Sequence, residues 1–139
     1  MYERILVPYD GSESAMHALE AAANLATSLK SYSAFTVLYV IQEIPRVEAA
    51  RLAGDVNAML VEEGQQAVAP ALDLLTQKGV KAQAIYLHGD PAEVISREAG
   101  KYDVVIMGRR GLSTFKELVI GSVSHKVIQN TACPVLIVN

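Results

Sequence analysis

The residues best suited to chemistry lie late in the chain. Met107-Gly108-Arg109-Arg110-Gly111 is followed by nine residues and then by Gly121-Ser122-Val123-Ser124. Glycines let a backbone come close to an anion and take positive φ. A helix that starts at Gly121-Ser122 would present unpaired N–H groups and a partial positive charge. Ser122 and Ser124 add hydroxyls, and Arg109 and Arg110 add positive charge. That set suits phosphate. Two readings stand on the spacing alone: a phosphate cradle, or a tight turn after a strand followed by an ordinary helix start. The segment is not a Walker A loop, because no Gly-x4-Gly-Lys-Ser/Thr occurs. A Gly-x-Gly-x-x-Gly after the first strand is absent too, which disfavours a standard dinucleotide site.

The elements that must position these residues can be read from periodicity. Arg4-Ile5-Leu6-Val7-Pro8 is a short apolar run and predicts a buried strand. Ala15, Ala18, Leu19, Ala22, Leu25, Ala26 and Leu29 recur at helical spacing, with Ser12 as cap and Glu13 in the first turn. Ala34 to Ile41 predicts a second strand. Residues 43–55 read as a loop or an irregular helix start, punctuated by Pro45 and Gly54. Val56, Met59, Leu60, Ala67, Val68, Ala71, Leu72 and Leu75 mark a longer helix ending near Gly79, with a kink expected at Pro70. Val80 to Leu87 alternates partly and predicts an edge strand. Asp90-Pro91-Ala92-Glu93 carries a cap, a first-turn proline and an acid three residues on, so a helix starts there. Asp103 to Met107 predicts another buried strand. A final helix from Gly121-Ser122 to Asn130 and a strand over 134–138 complete the chain. Strands alternating with helices argue for an α/β fold with a parallel sheet and helices on both faces. Ligands in such sheets bind beyond the C-terminal strand ends, where the strand order reverses.

Composition narrows the function classes. The chain has 139 residues, expected to form one domain over 1–139, with 51% hydrophobic and 19% charged residues. A net charge of −3 supplies no basic field for nucleic acid. No apolar run is as long as a membrane span. The short apolar run after the N-terminus is expected to belong to the mature protein rather than to a secretory leader. Cys133 is the only cysteine, so no intrachain disulfide can form, which fits a cytoplasmic home.

The pattern Gly108-x2-Gly111-x9-Gly121-Ser122 resembles the nucleotide-binding motif of the universal stress protein family. Ile5-Leu6-Val7-Pro8-Tyr9-Asp10-Gly11-Ser12 resembles the family's opening strand and turn, and Leu38-Tyr39-Val40 its second strand. Met107-Gly108 and Cys133-Pro134-Val135-Leu136-Ile137-Val138 resemble its last two strands. The resemblance implies a five-stranded parallel sheet of order 3-2-1-4-5 in three layers. Pro8, Tyr9 and Asp10 would then lie beside Met107 and Gly108 at the switch point. It further implies that the ligand is ATP, with Mg²⁺. Asp10 would meet the ribose or, through the phosphates, the metal. Val40 would give backbone contacts to adenine. Gly108 and Gly111 would line ribose and phosphate, and Gly121, Ser122, Val123 and Ser124 would hold the phosphates. Some members of that family lack the glycine motif and do not bind ATP; every glycine and the serine of the motif are present here.

Other polar residues have plainer readings. Asp10-Gly11 also suits a simple turn. His17, His88 and His125 are dispersed and make no zinc site, and His125 and Lys126 read as surface residues. Cys133 reads as a packed residue. Glu62-Glu63 suits a solvated helix face, and Asp90 and Glu93 are explained by capping. Val135 to Val138 has no charge on either face and would be an edge strand, so a homodimer through it is expected. The leading expectation is a nucleotide-responsive stress-response module with an unidentified downstream protein partner. A slow ATP hydrolase or phosphoryl-transfer enzyme, or a dimeric interaction module with a vestigial site, are the alternatives. Asp10, Arg109 and His125 are the candidates for the first, and no spacing singles out a base.

Overall fold

The computed structural model describes residues 3–29, 32–42, 56–109, 122–131 and 133–139. Five strands form one parallel sheet: β1 (Arg4–Pro8), β2 (Ala34–Ile41), β3 (Gln83–His88), β4 (Val104–Gly108) and β5 (Val135–Val138). Their order across the sheet is β3-β2-β1-β4-β5. Four helices are described: α1 (Glu13–Ser28), α2 (Val56–Gln77), α3 (Pro91–Ala99) and α4 (Ser122–Asn130). None is long and apolar enough to cross a membrane. The sequence motifs at 43–55, Arg110, Gly111 and Gly121 lie outside the described residues.

The sheet has two covered faces because successive residues of its central strands, Ile5-Leu6-Val7 and Val104-Val105-Ile106-Met107, are apolar and buried on both sides. Ile5, Val7, Phe35, Val37 and Ile106 pack with Ala15, Ala18, Leu19 and Ala22 of α1 and with Val68, Ala71 and Leu75 of α2. Leu6, Leu38, Val105 and Met107 pack on the other face with Ala92, Val94, Ile95 and Ala99 of α3 and Val127 of α4. Ile5, Leu6 and Val7 are each 0% exposed. Full burial of side chains like these contributes roughly 1.5–3 kcal/mol apiece, so β1 is the axis on which both layers depend.

Two helix starts follow their sequence signals. The Ser12 hydroxyl accepts the Ala15 N–H at 3.1 Å, and the Asp90 carboxylate accepts the Glu93 N–H at 3.2 Å, with Pro91 in the first turn. One boundary differs from expectation. The third strand begins at Gln83 rather than Val80. The Val80 N–H turns back to the Leu75 carbonyl at 2.9 Å, closing the end of α2 in a Schellman-type turn, so it is not available to a ladder. As expected, helix α2 contains Pro70 within one element. Pro70 is exposed, while Val68, Ala71 and Leu75 on both sides of it are buried against the sheet. That shared buried face holds the two halves together despite the missing N–H.

The N-terminal end of the sheet is clasped shut. The Asp103 N–H donates to the Arg4 carbonyl at 2.8 Å. The Asp103 carboxylate accepts the Arg4 N–H at 2.9 Å and the Arg4 guanidinium, also at 2.9 Å. Those bonds from the Arg4 side chain and backbone hold the Asp103 carboxyl below its ordinary range. They tie the entry of β1 to the entry of β4, which makes the behaviour at their exits more telling.

Candidate functional site

Strands β1 and β2 stay paired along all of β1, from Arg4 opposite Ala34 to Pro8 opposite Leu38. Strands β1 and β4 pair only at Ile5 opposite Val104 and Leu6 opposite Val105. Beyond that point the ladder between them stops. The reason can be read from the backbone. The Tyr9 N–H donates to the Leu38 carbonyl at 2.8 Å, so odd residues of β1 address β2. Alternation turns the nitrogen of Pro8 toward β4, where the ladder needs a donor. Proline has none. The exits of β1 and β4 are therefore unpaired at the place where the strand order reverses, which is where sheets of this kind form a ligand crevice.

The β2 side of this crevice carries open backbone. The Leu38 carbonyl faces β1, and the Ile41 carbonyl accepts the Gly89 N–H beyond β3 at 3.0 Å. Val40 therefore turns its N–H and C=O to the β1 side, two residues past the last β1–β2 pair. Such a donor and acceptor on one rigid strand match the edge of a purine. At the end of β1, the Asp10 carboxylate accepts the Ser12 N–H at 2.9 Å. Gly11 adopts φ of 84°, a conformation that suits glycine. The turn aims the N-terminal end of α1 at the same strand edge.

The β4 side is pinned more tightly. The Arg109 N–H donates to the Val138 carbonyl of β5 at 3.0 Å. In a trans peptide the C=O points the opposite way, so the Gly108 carbonyl faces β1 and the crevice. It accepts the Ser124 hydroxyl at 2.9 Å. A β-carbon on Gly108 would stand 2.6 Å from the Ser14 carbonyl oxygen in the first turn of α1. Glycine is thus demanded here by close packing against α1. The mouth of α4 lies beside this peptide, and its first-turn N–H groups have no partner within the helix.

Most of the sequence-derived site residues come together at this edge. Pro8, Tyr9 and Asp10 end β1, Val40 nears the end of β2, Met107 and Gly108 end β4, and Ser122, Val123 and Ser124 open α4. Their roles divide. The side chains of Tyr9 and Met107 are each 5% exposed and belong to the two cores, so only their backbones can serve a ligand. Burial, then the charge of Asp10, pushes the Tyr9 phenol up, which keeps it neutral. The Arg109 guanidinium reaches the Asn139 side chain at 3.3 Å, on the β5 side of β4. His125 and Lys126 are exposed on α4, and burial raises the Cys133 thiol, consistent with its reading as a packed residue. Ser14 was not singled out from sequence, because only the folded contact with Gly108 gives it a part.

This donor set fits a nucleotide: a backbone donor and acceptor at Val40, a carboxylate at Asp10, and two helix N-terminal ends. No three His, Cys, Asp or Glu among the described residues are grouped to hold a metal ion. A divalent cation here would be carried chiefly by phosphate oxygens and water, as Mg²⁺ often is.

The model of the universal stress protein family matches residues 1–139. Universal stress protein YxiE of Bacillus subtilis is 35% identical over 99% of this chain and 99% of its own length. The solved structure of MJ0577 of Methanocaldococcus jannaschii superposes with a TM-score of 0.85 at 31% identity, covering 99% of this chain and 96% of that one. An Arabidopsis thaliana member solved with AMP bound shares the fold, with a TM-score of 0.70 at 21% identity over 97% of this chain and 90% of that one.

Proposed function

The chain belongs to the universal stress protein family, and from that premise we propose that it is the ATP-binding kind, a nucleotide-responsive stress-response module. The observation that carries this reading is the early end of the β1–β4 ladder. It leaves a cleft at the switch point, lined by backbone donors and by two helix mouths. Adenine sits against the Val40 backbone, and the ribose lies between Asp10 and Gly108. The phosphates run to the N–H groups of Ser122, Val123 and Ser124, with Gly111 and Gly121 allowing close approach. Mg²⁺ neutralises the phosphates, and Asp10 is the carboxylate placed to meet its hydration shell. The AMP held by the Arabidopsis relative supports an adenine nucleotide as the ligand class.

ATP acts in this reading as a ligand that selects a conformation for an unidentified downstream partner in the cytoplasm. For that, it must bind two states with different affinity. Calorimetric titration with ATP and Mg²⁺ is expected to give saturable binding. The double variant Gly121→Val with Ser122→Ala is expected to abolish it with the melting temperature unchanged. No heat from the unaltered protein at millimolar ATP overturns the reading.

The proposed assembly is a homodimer through β5. Among the described residues that strand pairs only with β4, and its central side chain, Leu136, is 47% exposed. An uncharged edge invites pairing with a second copy. Sedimentation velocity at micromolar concentration should give a dimer, and Leu136→Lys should give a monomer. A monomeric unaltered protein rejects this interface.

A further inference from the structure

Ser124 opens the question of what holds the two halves of the cleft in register. Its side chain lies in the first turn of α4, yet the residue is only 3% exposed. Its hydroxyl donates to the Gly108 carbonyl at 2.9 Å, and also approaches the Arg109 carbonyl at 3.4 Å. A hydroxyl has one proton to give, and this one is spent on the backbone of β4. The receiving carbonyl matters more than the bond itself. The peptide between Gly108 and Arg109 sends its N–H into β5 and its C=O toward the cleft. An uncapped carbonyl there would present a negative dipole end to any anion entering beside it.

Resting on the nucleotide reading above, we propose that Ser124 is a positioning residue, a latch that caps the Gly108 carbonyl and fixes the mouth of α4 against the end of β4. The serine hydroxyl that touches phosphate is then that of Ser122, which is exposed, and Ser124 offers the ligand only its N–H. Three contacts hold the same peptide: β5 through the Arg109 N–H, α4 through Ser124, and α1 through the packing of Ser14 on Gly108. With the third intact and the first loosened but kept, losing the second frees α4 while the sheet survives. The latch therefore tunes phosphate affinity with little effect on adenosine, whose contacts lie at Val40, at Asp10 and at a Gly108 backbone that β5 and α1 still hold.

The test compares Ser124→Ala with the unaltered protein in two measurements. In titrations, ATP with Mg²⁺ is expected to bind about tenfold more weakly, the loss of roughly one hydrogen bond, while adenosine changes by less than about twofold on the same scale. Ser124→Thr, which keeps the hydroxyl, is expected to recover most of the ATP affinity. In amide hydrogen exchange, the Arg109 N–H is expected to lose about tenfold protection by local opening. The Val105 N–H, bonded to the Pro134 carbonyl at 2.9 Å at the other end of the same ladder, is expected to keep its protection. Equal losses for ATP and adenosine, or unchanged exchange at Arg109, overturn the latch. Should the unaltered protein bind no nucleotide, the function above fails, and the exchange measurement alone then upholds or overturns the latch.

Discussion

Replacing Gly108 by alanine should destabilise the fold by about 3 kcal/mol, the upper part of the range for forced overpacking. The added carbon would lie 2.6 Å from the Ser14 carbonyl oxygen and 2.7 Å from its carbonyl carbon. These are backbone atoms and have no rotamer to change. Nor can α1 retreat, because Ala18, Leu19, Ala22 and Ala23 behind Ser14 are all 0% exposed. At roughly 3 °C per kcal/mol for a chain of this size, the melting temperature is expected to fall by about 10 °C. Gly100→Ala is the matched control. Gly100 has φ of −61° and ψ of −17°, ordinary helical values, and a β-carbon there would meet the Arg97 carbonyl oxygen no closer than 3.6 Å. Its replacement is expected to be neutral, or stabilising by up to about 1 kcal/mol. Equal melting temperatures for Gly108→Ala and the unaltered protein would show that the glycine is not held by packing.

Ser122→Glu separates binding from stability in the opposite sense. Ser122 is exposed at the start of α4, and the first turn of that helix has no acidic residue. A carboxylate there opposes the helix dipole and stabilises α4 by roughly 0.3–1 kcal/mol. Toward a polyphosphate it does the reverse. Two unit charges about 5 Å apart repel by about 3 kcal/mol at an effective dielectric near 20, so ATP affinity is expected to fall by at least about a hundredfold. Adenosine lacks the charge and should bind as before. The loss should shrink as salt rises. Melting and calorimetry on one preparation read both effects. Undiminished ATP binding would remove the phosphates from the mouth of α4.

The architecture was legible because most strands are short apolar runs and because α1 and α3 carry their own punctuation. Arg4 to Pro8 and Ala34 to Ile41 declare buried strands without reference to the rest of the chain, and the Asp90-Pro91-Glu93 start of α3 is local chemistry. The strand order and the ATP assignment did not come from such patterns; they came from the resemblance carried by Gly108, Gly111 and Gly121-Ser122. What the sequence could not reveal are relations between distant residues. Pro8 reads as the end of a strand, and its part in ending the β1–β4 ladder depends on which neighbour it faces. Gly108 reads as a phosphate glycine, yet its nearest constraint is Ser14, which lies far away in sequence. Ser124 reads as a phosphate hydroxyl, but its proton goes to a carbonyl sixteen residues earlier. The Val80 boundary was missed for a smaller reason: a turn at the end of α2 claimed the N–H that alternation had assigned to a strand.

In the proposed function an adenine nucleotide occupies the cleft between the exits of β1 and β4. Amide chemical-shift mapping during titration with ATP and Mg²⁺ tests it most directly. Saturable shifts are expected at Tyr9, Val40, Arg109, Ser122, Val123 and Ser124, with Arg4 and Asp103 at the clasped end unmoved. Shifts confined to other surfaces, or none at millimolar nucleotide, would contradict it.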